Sequence, residues 1–501
     1  MKGIMIQGTA SDVGKSLITT AICRLLANEG VKVTPFKSQN MSNNSYVTMD
    51  GKEIGRAQGI QAEAAKTDAS IWMNPILLKP RSDLQSEVVL LGKAICTLSG
   101  KSYRDTYYEK GLVTIMNSLS RLSESYEVIV MEGAGSPVEI NLKDKELVNM
   151  KIAELAGVPV VLVADIDRGG VFASIVGTLE LLTPPERNRV KGIIINKFRG
   201  DQSLFEEGVR WIEEKTGVPV LGVIPYMDHM IEGEDSLSIA ERFSSKPKRS
   251  IEIGVVKVPF ISNYSDIEPF LYEEDVSIKW IEKAEDFGHP DALIIPGTKS
   301  TITDLQFLKD RGLVKAIRSY VVEGGMIVGI CGGYQMMCKE LVDLAGTDTG
   351  TANMVVQGLG LIPAKTIFHQ EKITTRVSGN LHPLTRIEGI SLEGYEIHLG
   401  KTEYDAFATV SPFILCEDGE TDGYYAFDGQ IIGTYLHHLF HNDEWRSHWL
   451  NKIRAMKELQ MREIVSLQSL KDRRFDDLAD MVKEHLDWNQ VKRIISQWEK
   501  S

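Results

Sequence analysis

The sequence predicts an α/β protein of two successive domains, each on a mostly parallel sheet, followed by a helical tail. Three observations lead there. Its 501 residues exceed what one hydrophobic core ordinarily serves. Short apolar runs alternate with helix-length segments, the pattern of βαβ units. That alternation breaks once, in a polar stretch from Asp228 to the basic FSSKPKRS ending at Ser250. The domains are therefore placed at 1–245 and 251–442, with the tail at 443–501.

The first series of strands reads GIMIQG, VKVTPF, YEVIVMEG, VPVVLVADI, VKGIIINKF and VPVLGVIPY. The second includes IEIGVVKV, DALIIPG, MIVGICGG and IIGTYLHH. The tail is charged and helical in period, as in WLNKIRAM and FDDLADMVKEHL, and is expected to pack against one domain. A formal net charge of -13 argues against general binding to nucleic acid or anionic membranes, leaving only local basic pockets for polyanions. Apolar runs such as GVPVVLVADI are too short to span a bilayer, and the first strand leaves no room for a cleaved signal peptide. The cysteines at 23, 96, 331, 338 and 416 form no CxxC pair, which suits a reducing compartment. A soluble cytoplasmic protein is expected.

The first strand runs into GTASDVGKS, residues 8 to 16, and then a helical pattern. Glycines permit a tight loop whose N–H groups face phosphates, Lys15 reaches the outer phosphates and Ser16 can ligate magnesium. This is a P-loop with one extra residue between Gly8 and Gly14, at the head of a doubly wound sheet. Thr9 and Val13 complete the loop; Asp12, odd beside phosphates, orients either backbone or metal-bound water.

Doubly wound sheets bind ligands beyond the carboxyl ends of their strands, and three other strand ends carry polar side chains. VIVMEGAGS places Glu132 there, a natural magnesium ligand. IIINKFRG places Asn196, whose amide matches the edge of adenine, beside Lys197. ADIDRGG supplies Asp165, Asp167 and Arg168, which serve a ligand or pair with one another. In PFKSQNMSNNSYVT the residues Lys37, Gln39, Asn40, Ser42, Asn43 and Asn44 are dense in amides and hydroxyls, a surface suited to a polar ligand or else a solvated loop.

GICGG, around Cys331, has the form G-x-nucleophile-x-G between the strand-like MIVGI and the helical pattern YQMMCKELVDL. Small residues at 329 and 333 allow a strained turn, and the helix N-terminus favours the thiolate. Such a thiol needs a base. His437 and His438 follow another strand, which suggests acyl transfer by a Cys-His pair; the competing reading is a buried structural cysteine. Cys338, farther along, reads as core.

GICGGYQMM, PGTKST at 296–301, GYEIHLG at 394–400 and GTYLHHLF at 433–440 resemble a class I glutamine amidotransferase domain of the variety found in cobalamin biosynthesis. GTASDVGKS, with its extra residue, resembles the dethiobiotin-synthetase-like ATP-binding domain joined to it. KSQNMSNNSYVT, MNPILLKPRSD, EGAGSPVEINL, ADIDRGGVFAS and RRFDDLADMVKEHLD extend the likeness over nearly the whole chain.

The resemblance implies glutamine-dependent, ATP-consuming amidation of a corrinoid, at the b, d, e and g carboxylates of adenosylcobyrinic acid a,c-diamide. It implies that Cys331 attacks glutamine, that His437 is its base and acid, and that N–H groups of Gly332 and around Gly297 form the oxyanion hole. ATP with Mg2+ would then phosphorylate a corrinoid carboxylate, from which ammonia displaces phosphate. Two positions depart from the pattern. The glutamate usual two residues after the histidine is Leu439, so the group that orients His437 must lie elsewhere, and the usual glycine after the histidine is His438. A family member that forms the a,c-diamide is one rival, not expected to carry QNMSNNS. A non-catalytic P-loop switch fused to an inert domain is another, and Cys331 together with the absence of a KGG-type loop speaks against it.

Overall fold

The computed structural model describes residues 1–42, 44–82, 85–227, 248–406 and 408–497. Asn43 and most of the interdomain stretch lie outside them. The chain divides into two compact units, Met1–Glu234 with Lys471–Ser501, and Asp235–Leu470.

In the first unit the six anticipated runs are parallel strands of one sheet. Their order is Val220–Pro225, Val190–Phe198, Val160–Asp165, Lys2–Gly8, Val128–Glu132 and Val33–Phe36. Successive side chains point to opposite faces. Ile4, Ile6, Val130 and Val161 join one apolar cluster, which includes the helix Lys15–Asn28, while Met5, Met131, Val160 and Leu162 join another. Burial on both faces is why these strands read as unbroken apolar runs. Lys2–Gly8 pairs with Val160–Asp165 on one side and Val128–Glu132 on the other, so the P-loop leaves the sheet at its switch point. A four-stranded sheet of Gln39–Met41, Ile76–Ser82, Gln85–Leu90 and Lys93–Ser99 also belongs to this unit.

In the second unit the main sheet is ordered Val276–Ile281, Ile251–Val256, Ala292–Ile295, Met326–Ile330, Ile431–Thr434 and Tyr424–Ala426. All neighbours are parallel except the last pair. A second sheet is built on the long strands Ile362–Leu381 and Ser391–Tyr404. The helical reading of YQMMCKELVDL holds only to Met337. The helix Gly332–Met337 stops because the carbonyls of Met336, Met337 and Cys338 accept the N–H groups of Leu359, Leu361 and Gly360. Cys338–Asp343 is instead a strand of the second sheet, with Cys338 in the core.

The tail sequence divides between the units. The helix Asp443–Met456 sinks Trp445, Trp449, Leu450 and Ile453 into the second core, where Arg446 and Arg454 bind Glu273 and Asp275. The stripe Phe475, Leu478, Ala479 and Val482, at helical spacing, instead covers the P-loop helix through Ile18, Ile22 and Leu25. Arg24 on that helix is clamped by Asp472 and Asp476 at 3.0 and 2.7 Å. No helix among the described residues is long and apolar enough to cross a membrane.

Leu478 is fully buried in this seam. Leu478→Ala is expected to cost about 2–5 kcal/mol. Amide exchange in Lys15–Asn28 should accelerate while that in Met326–Ile330 stays unchanged; unaltered exchange in the P-loop helix would contradict the assignment of the tail to the first unit.

Candidate functional site

Two clusters of polar side chains gather at strand ends, one in each unit. In the first, the P-loop folds closely on itself. Lys15 Nζ donates to the carbonyls of Ala10 and Gly135 at 2.9 and 3.1 Å, and Thr9 N–H donates to Val163 O. A Cβ on Gly8 would lie 3.0 Å from Lys15 Nζ. Gly14 has φ 97°, and the amide nitrogen of Asn196 fills the place of its missing Cβ. Asn196 Nδ2 donates to Val13 O at 2.9 Å, so in the structure this buried amide braces the loop. Lys197 binds the Asp12 carbonyl and the Asp165 carboxylate. Asp165, Asp167 and Arg168 find partners in this rim, with Arg199 on Asp167 at 2.8 Å and Arg168 3.8 Å from Asp12.

Glu132 is the hub. It accepts from Ser16 Oγ at 2.9 Å, Lys37 Nζ at 2.9 Å and Gln61 Nε2 at 2.6 Å. Burial raises its pKa, but Lys37 and the hydrogen bonds from Gln61 and Ser16 outweigh that and hold it below the usual carboxylate range. The amide-rich segment turns largely inward. Asn40, Ser42 and Asn44 are buried, with Asn40 on Gln58 and Ser42 on Asn44, whereas Gln39 is half-buried. Gln61 is a site residue that the sequence did not single out.

In the second unit Cys331 sits between the strand Met326–Ile330 and the helix Gly332–Met337, with φ 49° and ψ −109°. A non-glycine residue holds such a backbone only under constraint. The glycines supply it: a Cβ on Gly333 would lie 2.0 Å from the carbonyl of Ile295, and one on Gly329 2.3 Å from Met337 Sδ. Cys331 N–H binds Thr434 O at 2.8 Å, which ties the Cys331 turn to the neighbouring strand that leads to His437. Gly332, first in its helix, has no intrahelical acceptor for its N–H. Thr298 packs against Gly332, so the Gly297 loop lies alongside.

His437 is fully buried and close enough to Cys331 for the thiol to raise its pKa, while Cys331 Sγ itself donates to Ile397 O at 3.6 Å. Its Nδ1 meets Asp266 Oδ2 at 2.7 Å, while Asp266 Oδ1 accepts the N–H of His438 at 2.8 Å. Tyr395 stacks on the ring at a centroid distance of 5.1 Å. His438 takes φ 68°, the left-handed backbone that a glycine favours, and its ring stacks on His441. His437 is the ring whose pKa Cys331 raises. Burial pushes its pKa down, but Asp266 and Cys331 reverse this and raise it to about 10. The imidazolium thus adds stability below the ordinary value of 6.5, lost as pH rises through about 10. Asp266 is the orienting acid that Leu439, buried in the core, does not provide. No spacing to His437 could have revealed it, since it comes from the turn Tyr264–Asp266.

Comparison with known proteins agrees with this division. Residues 4–237 match the CobQ/CobB/MinD/ParA nucleotide binding domain, and residues 252–445 the CobB/CobQ-like glutamine amidotransferase domain. The chain is 48% identical to a cobyric acid synthase of Geobacillus kaustophilus over 499 residues, covering 99% of this chain and 98% of that one. It is 47% identical to the cobyric acid synthase of Anoxybacillus flavithermus over 500 residues, again covering 99% and 98%.

The two histidines can be told apart chemically. His437→Ala should slow iodoacetamide alkylation of Cys331 at neutral pH by about tenfold or more, and His438→Ala by less than about threefold. Equal effects would contradict the assignment.

Proposed function

Because the chain belongs to the cobyric acid synthase family, whose members are glutamine-dependent amidoligases, we propose that it amidates the b, d, e and g carboxylates of adenosylcobyrinic acid a,c-diamide, using glutamine and ATP. The observation that carries the reading is the strained Cys331 turn with the buried, Asp266-bound His437 against it.

His437 Nε2 holds the proton that the Cys331 thiol gives up, and Sγ attacks the glutamine carboxamide. The Nδ1 contact to Asp266 keeps the proton of the neutral ring on Nδ1 and leaves Nε2 as the base. N–H groups of Gly332 and Gly297 receive the developing oxyanion. Collapse expels ammonia with a proton from His437, and water then frees glutamate from the thioester.

Ammonia is consumed in the first unit. A carboxylate resists amidation until its oxygen becomes a good leaving group, so ATP phosphorylates it first. Gly8, Thr9, Asp12, Val13, Gly14, Lys15 and Ser16 bind the phosphates, braced by Asn196 and Lys197. Ser16 Oγ and the Glu132 carboxylate lie side by side at 2.9 Å. A hydroxyl next to one carboxylate suits Mg2+, which keeps waters and takes phosphate oxygens rather than an all-protein cage. Bound there, the ion would neutralise phosphate charge. Among the described residues no cluster of three or more His, Cys, Asp or Glu offers such a cage. Lys37, Gln39, Asn40, Ser42 and Asn43 are assigned to the acceptor side, with Asn43 outside the described residues.

Mass spectrometry of the corrinoid product, with glutamine or ammonia as nitrogen source, tests this division of labour. Cys331→Ala should lose glutamine-driven amidation and keep the ammonia-driven reaction, whereas Lys15→Ala should lose both by about 100-fold or more yet still hydrolyse glutamine. A folded Cys331→Ala variant inactive with ammonia would refute it.

A further inference from the structure

The mechanism above does not use Asn263, a buried polar residue beside His437. Asn263 lies between the Gly297 loop and His437, only 5% exposed, with a left-handed φ of 55°. Its Nδ2 lies 3.4 Å from His437 Nδ1 and 3.2 Å from Nε2. Such similar distances place the amide nitrogen against the ring rather than in line with either lone pair, so Nε2 stays available to Cys331. Asn263 Oδ1 is thereby turned elsewhere, and it has no hydrogen-bond partner among the described residues.

A buried acceptor left unpaired costs stability unless a ligand satisfies it. The scissile carboxamide provides one. With its oxygen on the N–H groups of Gly297 and Gly332 and its nitrogen at His437 Nε2, that nitrogen comes within reach of Asn263. A Cβ on Gly297 would lie 3.0 Å from His437 Cε1 and 3.6 Å from Ser262 O, so residues 262–263 flank the space between oxyanion site and base.

We propose that Asn263 is a catalytic residue of the glutamine half-reaction whose Oδ1 accepts an N–H of the departing carboxamide nitrogen. The assignment rests on the Cys331–His437 reading. The step is conventional in its balance: Sγ–C forms, C–N breaks, the thiol proton travels through His437 Nε2 to nitrogen, and ammonia leaves. Asn263 holds the nitrogen with its lone pair towards Nε2, which matters only if the leaving atom carries hydrogens.

The γ-methyl ester of glutamate separates this role from a structural one. It keeps the α-ammonium, the α-carboxylate and the carbonyl, but its leaving oxygen has no N–H. In Asn263→Gly, which suits the left-handed backbone, kcat/KM for glutamine should fall about 10- to 100-fold while that for the ester changes by less than about threefold. Equal losses on both substrates, as expected if Oδ1 held the α-ammonium or merely shaped the loop, would overturn the proposal, and so would unchanged glutamine hydrolysis. Cys331 alkylation at the wild-type rate verifies a folded site, and Asn263→Ser carries the same comparison should the glycine variant not fold. In parallel, Cys331→Ala should lose both amide and ester hydrolysis; ester hydrolysis surviving there would bring down the dyad reading, not the assignment of Asn263.

Discussion

The Asp266 carboxylate binds His437 Nδ1 with one oxygen and the N–H of His438 with the other. That two-point contact distinguishes His437 from the adjacent His438, sets which ring nitrogen of His437 carries the proton in its neutral form, and fixes the direction of the ring. Without it the buried imidazole would be driven neutral by desolvation and left to rotate, and a strained thiol on a tight turn would have no partner of fixed geometry. The ion pair is fully desolvated, so its worth lies less in stability than in the single arrangement it imposes.

The loop that carries Asp266 also positions the Gly297 loop, to which a proposed oxyanion donor belongs. Ser262 N–H binds Gly297 O at 2.9 Å, Lys299 N–H binds Phe260 O at 3.0 Å, and Ile261 bridges Thr298 in antiparallel register. Asp304 closes the arrangement by accepting from Thr298 Oγ1 and from Phe260 N–H; burial pushes its carboxyl up to about 7, against the pull of those hydrogen bonds. On the far side of the base, Asp422 accepts from Thr434 Oγ1 and Tyr435 N–H and pins the turn that presents His437. The turns that carry His437, Cys331 and Gly297 are thus fastened to one another through backbone, as the proposed reaction, whose atoms must meet within a fraction of an ångström, requires.

Much of this was legible in sequence, for a physical reason. Parallel strands buried on both faces announce themselves as apolar runs, and all six of the first sheet and four of the second unit's main sheet were read that way. The P-loop, the Cys331 turn and His437 were legible because backbone constraint at each site is written in adjacent residues. Asp266 and Gln61 were not, since their partners His437 and Glu132 lie 171 and 71 residues away and only the fold brings them together. Leu439 told only that an acid was missing. The strand Cys338–Asp343 was misread because its apolar residues fit a helical period as well as a strand's, and what stops the helix is the later segment 359–361, which takes its carbonyls. Asn196 had the right place at a strand end, yet its donor is committed to the P-loop backbone.

The claim on which the rest stands is that a carboxylate from a distant turn fixes the protonation of His437. It can be read directly by 15N NMR of the imidazole in the full-length protein, comparing wild type with Asp266→Asn. The account predicts a neutral ring with its proton on Nδ1 at high pH, titrating near 10 in the wild type and at distinctly lower pH in the variant. A His437 that titrates alike in both proteins, or that carries its neutral-state proton on Nε2 in the wild type, would contradict it.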